Sequence, residues 1–174
     1  MPRFCANLDW LYQDRPLLDR PEAAARDGFR GVEFLRPYLA PAADLARAVR
    51  AARLDVPLVN APAGDWDKGD RGLAALPGRE AEFAASLDPA FEYARALGAP
   101  LVHIMAGLVP KDVPHEQAHA TYVANLRLAA GRAAAVGLRL CVEPINPIDM
   151  PGYFLSRQDQ AHGVVREIGA PNLG

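Results

Sequence analysis

Short apolar runs alternate with longer amphipathic, alanine-rich runs along the chain. The short runs have strand length: residues 3–7, Gly31-Val-Glu-Phe-Leu35, 56–60, Leu101-Val-His-Ile-Met105 and Leu138-Arg-Leu-Cys-Val-Glu143. The segments between them predict helices over about 21–27, 41–53, 79–97 and 114–136, with Gly28, Gly98 and Gly137 as stops and Pro41 suited to a first turn. A fifth helix is predicted to start at Ser156, where Ser156-Arg-Gln-Asp159 has capping-box form, and to stop at Gly169. A long loop, 61–78, separates the third strand from the third helix, and Pro171-Asn-Leu-Gly174 reads as the approach to a sixth strand.

A strand–helix alternation repeated about every 35 residues predicts a parallel sheet with crossover helices. Two parallel architectures compete, an open doubly wound sheet and a closed barrel. The glycine-rich loop typical of nucleotide-binding open sheets is missing: Asn7-Leu-Asp-Trp-Leu-Tyr12 follows strand 1, with no G-x-G-x-x-G and no Walker A motif. This argues against a dinucleotide fold and does not exclude other open sheets; the expected class is α/β, with a (β/α)8 TIM barrel as the favoured architecture. Residues 1–174 are expected to form one domain of five βα units, with strands 6–8 absent.

Strand side chains alternate between faces, so residues i and i+2 point the same way. If Val32, Phe34, Val102, Ile104, Leu140 and Val142 face the helices, then Asn7, Glu33, Asn60, His103 and Glu143 face inward at or near the carboxyl ends of their strands. Isolated buried polar groups are costly, whereas five converging at one rim suit a polar ligand or metal, and parallel barrels keep their sites at this end. Asn7 and Asn60 equally fit turn caps, Glu33 fits a loop-arginine pair, and His103 fits a supporting histidine. Glu143, ending an apolar strand just before Pro144-Ile-Asn146, is the principal candidate. In loop 61–78, Arg71 is a candidate grip for a substrate carboxylate and Trp66 a candidate cover, with a solvated connector as the alternative.

Composition narrows the functions. The 174 residues are 51% hydrophobic, and 19 basic against 21 acidic residues give a net charge of −2. No basic run favours nucleic acid, no apolar stretch approaches a membrane span, and the N-terminus lacks a signal-peptide core, so a cytoplasmic location is expected. Cys5 and Cys141, outside any Cys-x-x-Cys pair, read as buried reduced thiols. His115-Glu-Gln-Ala-His119 matches the H-E-x-x-H zinc motif of metalloproteases, a short pattern that chance also produces, and no obvious third ligand follows it.

The runs Gly31-Val-Glu-Phe-Leu35, Asn60-Ala-Pro-Ala-Gly-Asp-Trp66, Arg71-Gly-Leu-Ala-Ala-Leu-Pro-Gly-Arg-Glu80, His103-Ile-Met-Ala-Gly107, Val142-Glu-Pro-Ile-Asn-Pro147 and Asp149-Met-Pro-Gly-Tyr-Phe-Leu155 together resemble the hydroxypyruvate isomerase family. That family lies among the xylose-isomerase-like barrels, with ketose epimerases and 2-oxo-tetronate isomerases as relatives. The resemblance implies a divalent-metal enzyme interconverting hydroxypyruvate and tartronate semialdehyde through a metal-stabilised enediolate. Glu143 would be one of two catalytic carboxylates and a metal ligand. The other ligands, an aspartate after strand 6, a polar residue on strand 7 and a glutamate after strand 8, would lie beyond Gly174. The partner expected is a small hydroxy-oxo acid. Three alternatives stay open: a ketose or 2-oxo-tetronate isomerase or epimerase on the same barrel, a metalloprotease using His115 and His119, and a non-catalytic fragment or interaction domain. An open five-unit sheet of the last kind would associate through its edges, including as a homo-oligomer.

Overall fold

The alternation predicted from the sequence is the one that forms. The computed structural model describes residues 4–174. Its strands are β1 (Cys5–Asn7), β2 (Gly31–Glu33), β3 (Leu58–Asn60), β4 (Leu101–His103) and β5 (Arg139–Cys141). Between and after them lie α1 (Arg20–Arg26), α2 (Ala42–Ala51), α3 (Glu80–Leu97), α4 (His115–Ala135) and α5 (Gln158–Ile168). Met1, Pro2 and Arg3, which bear the N-terminal reading and the start of the first strand run, lie outside the described residues.

Pairing is parallel and sequential. Cys5, Ala6 and Asn7 pair with Gly31, Val32 and Glu33. Leu58, Val59 and Asn60 pair with Leu101, Val102 and His103, which pair in turn with Arg139, Leu140 and Cys141. Parallel bridges from Gly31 to Asp55 and from Phe34 to Val59 join β2 to β3. The resulting order, β1-β2-β3-β4-β5, winds in one direction and never reverses. A doubly wound sheet must reverse at a switch point, so the order decides for the barrel arrangement. The approach to a sixth strand is also present: Leu173 bridges Leu140 in parallel, and the Val142 amide donates to the Gly174 carbonyl at 3.0 Å.

The core lies between the strands and the helices. Ala6, Val32, Val59, Val102 and Leu140 are buried on the outward face, as alternation requires. The helices meet them with small or apolar stripes. Phe83, Leu87, Ala90, Phe91, Ala94 and Leu97 line one side of α3, while Ala118, Tyr122, Leu126, Ala129 and Ala133 line one side of α4. Consecutive helices pack on one another, which places all five on the same side.

Two local expectations are corrected. The capping box at Ser156 does not form: α5 starts at Gln158 after Arg157. Asp159 is taken by the Arg157 guanidinium, and Gln160 Oε1 accepts from the Ser156 amide at 3.1 Å instead. Cys5 is exposed rather than buried and Cys141 is half-buried, both as free thiols.

Three loops at the carboxyl ends of the strands are stitched together. Gly72 bridges Ala106 in antiparallel sense, and the Ala75 amide donates to the Ala106 carbonyl at 2.7 Å. The Phe154 amide donates to Gly107, and the Ala106 amide donates to the Tyr153 hydroxyl at 2.8 Å. The buried Asn125 amide of α4 reaches the Ala74 carbonyl at 2.9 Å. Loop 61–78 is thus a fixed part of the rim and not a solvated connector.

Candidate active site

The site arises because five strands end at one level and each finishes with a polar side chain on the inner face. Asn7, Glu33, Asn60 and His103 come from β1 to β4, and Glu143 sits two residues past β5 in the same alternation. All five border one cleft of about 700 Å³, together with Trp66 and Arg71 from the loop after β3. These seven candidates are therefore brought together, whereas His115 and His119 lie outside the cleft.

The carboxylates are held differently. Asn7 Nδ2 donates to Glu33 Oε1 at 3.1 Å, while Asn7 Oδ1 accepts from the Asp9 amide at 3.0 Å. One asparagine thus both closes the turn after β1 and fixes Glu33. Among the described residues Glu33 has no arginine partner, so the expectation of a loop-arginine pair falls away. Glu143 keeps 66% of its side chain open to solvent, yet partial burial, followed by the nearby charge of Glu33, raises its carboxyl above the ordinary range. The same two carboxylates act after burial to push the Cys141 thiol up to about 11, so it stays protonated and is no nucleophile at neutral pH.

His103 is the opposite case. Its side chain is 3% exposed, burial lowers it to about 4, and Nε2 has no partner among the described residues. Nδ1 lies 3.9 Å from Glu143 Oε2. With the ring neutral at pH 7, this contact is not an ion pair, and it is too long for a direct hydrogen bond. Asn60 is buried, and its carbonyl accepts from the Tyr38 hydroxyl at 2.6 Å, leaving the amide side chain on the cleft wall.

Loop 61–78 carries the cationic end. The Arg71 guanidinium lies 3.8 Å over the Trp66 ring and that of Arg36 lies 5.2 Å from it. Arg36 Nε is anchored by Asp9, a buried carboxylate that also accepts from the Leu35 and Arg36 amides at 2.7 and 3.1 Å. Sequence reasoning missed Asp9 and Arg36. It also missed Trp10, Asn146, Asp149 and Met150, which border the cleft. Exposed Trp10 next to the β1 terminus was an available signal; Asn146, which closes its own turn by accepting from the Ile148 and Asp149 amides, looks like an ordinary loop residue.

Residues 21–174 match the family model described as xylose isomerase-like TIM barrel. The chain belongs to the xylose isomerase-like TIM barrel family. It is 52% identical over 173 residues to a 2-oxo-tetronate isomerase of Cupriavidus necator, covering 99% of this chain and 66% of that protein. It is 43% identical to the hydroxypyruvate isomerase of Escherichia coli, covering 99% and 67%. A crystal structure described as an AP endonuclease of family 2 from Brucella melitensis superposes with a TM-score of 0.95 at 41% identity, covering 100% of this chain and 67% of that one. The chain thus spans about two thirds of the length of these relatives.

In this member of the family, the described side chains do not by themselves complete a site for a divalent ion. Among the described residues, no three His, Cys, Asp or Glu side chains gather into a set able to hold an ion. Glu143 and the His103 ring beside it supply two donors, fewer than a divalent site needs. The H-E-x-x-H motif also fails as a zinc centre. His119 Nε2 pairs with Glu167 Oε2 at 2.9 Å, His115 stacks on Phe154 at 5.2 Å, and no third ligand joins them among the described residues. No helix among the described residues is long and apolar enough to cross a membrane.

Proposed function

We propose that this chain carries the catalytic carboxylate of an isomerase that moves the carbonyl between adjacent carbons of a small hydroxy-oxo acid, with hydroxypyruvate and tartronate semialdehyde as the pair. The observation that carries the reading is Glu143: a carboxylate with raised proton affinity, beside a second carboxylate, open to a cleft large enough for a small ligand. The names of two relatives support an isomerase, of 2-oxo-tetronate at 52% identity and of hydroxypyruvate at 43%.

The chemistry follows from that carboxylate. Glu143 removes a proton from the carbon bearing the hydroxyl, and the released electron pair forms the double bond of an enediolate with its charge on the former carbonyl oxygen. Return of the proton to the neighbouring carbon, with the hydroxyl proton passing to the other oxygen, yields the isomer. A carboxylate of raised proton affinity is the stronger base for the first step. Glu33, fixed by Asn7, and Asn60 would hold substrate hydroxyls, and Trp66 would cover them. His103 contributes a neutral ring. Glu143 would be one ligand of a divalent ion whose other donors are not among the described residues, and such an ion would stabilise the enediolate charge.

The test is turnover. Glu143→Gln keeps the size and polarity of the side chain and removes the base. We expect a fall in kcat for hydroxypyruvate isomerisation of about 100-fold or more with unchanged thermal unfolding. Turnover near that of the parent protein sinks the assignment. A second reading, isomerisation of the longer 2-oxo-tetronate, is favoured by the 52% identity to the Cupriavidus protein. Comparing kcat/KM on the two acids decides between them. A ketose epimerase would instead leave the carbonyl in place and invert a neighbouring centre.

A further inference from the structure

Among the described residues the cleft is lined by three carboxylates, Glu33, Glu143 and Asp149, and by a single cation, Arg71. An acidic ligand entering it meets net repulsion unless Arg71 takes its charge. That guanidinium is unusually well prepared. Nη1 donates to the carbonyls of Trp66 at 3.0 Å and Asp70 at 2.6 Å, which uses both of its protons. The plane lies against the Trp66 ring. The Nε and Nη2 edge is left without a partner among the described residues, and that edge is one of the two geometries by which arginine grips a carboxylate with two parallel hydrogen bonds.

The adjacent residue in sequence, Asp70, would ordinarily fill that edge. It does not, because Arg79 holds it. Arg79 Nη1 and Nη2 donate to the two Asp70 oxygens at 2.7 Å each, and the Asp65 amide donates to Asp70 Oδ2 at 2.7 Å. Arg79 is itself fixed by Glu82 at 2.7 Å, from the first turn of α3. The acid next to Arg71 in sequence is thus committed elsewhere.

We propose that Arg71 is the carboxylate anchor of the cleft and that Arg79 acts as a positioning residue, keeping Arg71 available by occupying Asp70. This rests on the reading that the substrate binds in this cleft, and it adds which residue selects acids over neutral carbonyl compounds and what keeps that residue unneutralised.

The test is equilibrium binding without turnover. The chain has two tryptophans, Trp10 and Trp66, so a Trp10→Phe background makes fluorescence report on Trp66 alone. The probes are pyruvate, which has the acid and oxo groups but no hydroxyl to isomerise, and hydroxyacetone, which is neutral. Arg71→Ala is expected to weaken pyruvate binding by about 10-fold or more and to leave hydroxyacetone within about twofold. Arg79→Ala is expected to weaken pyruvate in the same selective way, because Asp70 then turns to Arg71. Adding Asp70→Asn to Arg79→Ala restores it. A merely structural role for Arg79 would not be rescued by removing a charge at position 70. Pyruvate that fails to bind saturably, or binds the Arg71→Ala protein as it binds the parent, overturns the anchor; a double variant as weak as Arg79→Ala overturns the role of Arg79. Glu143→Gln, which abolishes turnover under the isomerase reading, leaves the Arg71 dependence of pyruvate binding in place. Failure of the anchor and failure of the isomerase assignment therefore give different results.

Discussion

The close approach of Gly72 to the loop after β4 allows one substitution to be given opposite signs at two places. A methyl group on Gly72 would lie 2.5 Å from the Met105 carbonyl oxygen, 2.6 Å from its carbon and 2.7 Å from the Gly107 nitrogen. These are backbone atoms in a bridge, and they would have to retreat by about 1 Å to reach ordinary contact. The φ of Gly72 is +126°, where a side chain adds about 1–3 kcal/mol of strain. Loss of a bridge hydrogen bond adds about 1 kcal/mol, so Gly72→Ala is expected to cost about 3 kcal/mol. Gly131 lies inside α4 with nothing within 4 Å of an added methyl. There alanine gains about 1 kcal/mol of helix propensity. For a domain of this size each 1 kcal/mol moves Tm by about 2–4 °C. Thermal unfolding followed by far-ultraviolet circular dichroism should therefore show Gly72→Ala lowered by about 6–12 °C and Gly131→Ala raised by about 2–4 °C. Equal shifts for the two variants, or a Gly72→Ala protein as stable as its parent, would refute the reasoning.

Four further outcomes are expected. Glu143→Gln removes hydroxypyruvate turnover without loss of fold, read by steady-state kinetics. Arg71→Ala weakens pyruvate and spares hydroxyacetone, read by Trp66 fluorescence. Tyr153→Phe strands the buried Ala106 amide and costs about 1–3 kcal/mol, whereas Tyr122→Phe removes a buried hydroxyl with no partner among the described residues and is neutral or stabilising; urea unfolding of the pair shows it, and equal losses would count against it. The stability of the protein falls on acidification through His103: the folded ring sits near 4 against about 6.5 unfolded, so between these values the unfolded chain binds more protons. The contribution is full above about pH 6.5 and is lost toward pH 4, on the order of 3 kcal/mol, and His103→Gln should flatten that part of the profile.

The strands and their order were legible because apolar runs and alanine-rich helices repeat with a clear period, and because alternation assigns faces without knowledge of tertiary contacts. Val32, Val102 and Leu140 prove buried where alternation put them, and Glu33, His103 and Glu143 share the cleft. Strand lengths were less legible: each ladder holds for three residues before the chain turns to its loop, and apolar runs continue past that point because Ile104 and Met105 are buried by neighbouring loops. The start of α5 was misread because the capping-box pattern considers Ser156 and Asp159 alone, while Arg157 and Gln160 compete for the same groups. Asp9 and Arg79 were illegible for a similar reason. Their roles lie in pairings across 27 and 9 residues, which no local pattern records.

The depth at which each polar side chain sits decides what it can contribute. His103 and Glu143 end neighbouring strands, yet one is nearly sealed and the other largely open. Had the ring been solvated and protonated, a cation 3.9 Å from Glu143 would have lowered the carboxyl and weakened it as a base. Sealing His103 keeps it neutral, so burial and, after it, the charge of Glu33 act on Glu143 without opposition from that side, and the carboxyl is raised. Under the proposed isomerase chemistry, the base strength of Glu143 therefore depends on a histidine that stays neutral. It follows that a change opening the wall around His103 to water should lower the proton affinity of Glu143 and shift the acid limb of the kcat/KM profile downward. A profile that stays fixed when His103 becomes solvated would show that Glu33 and burial at position 143 suffice alone.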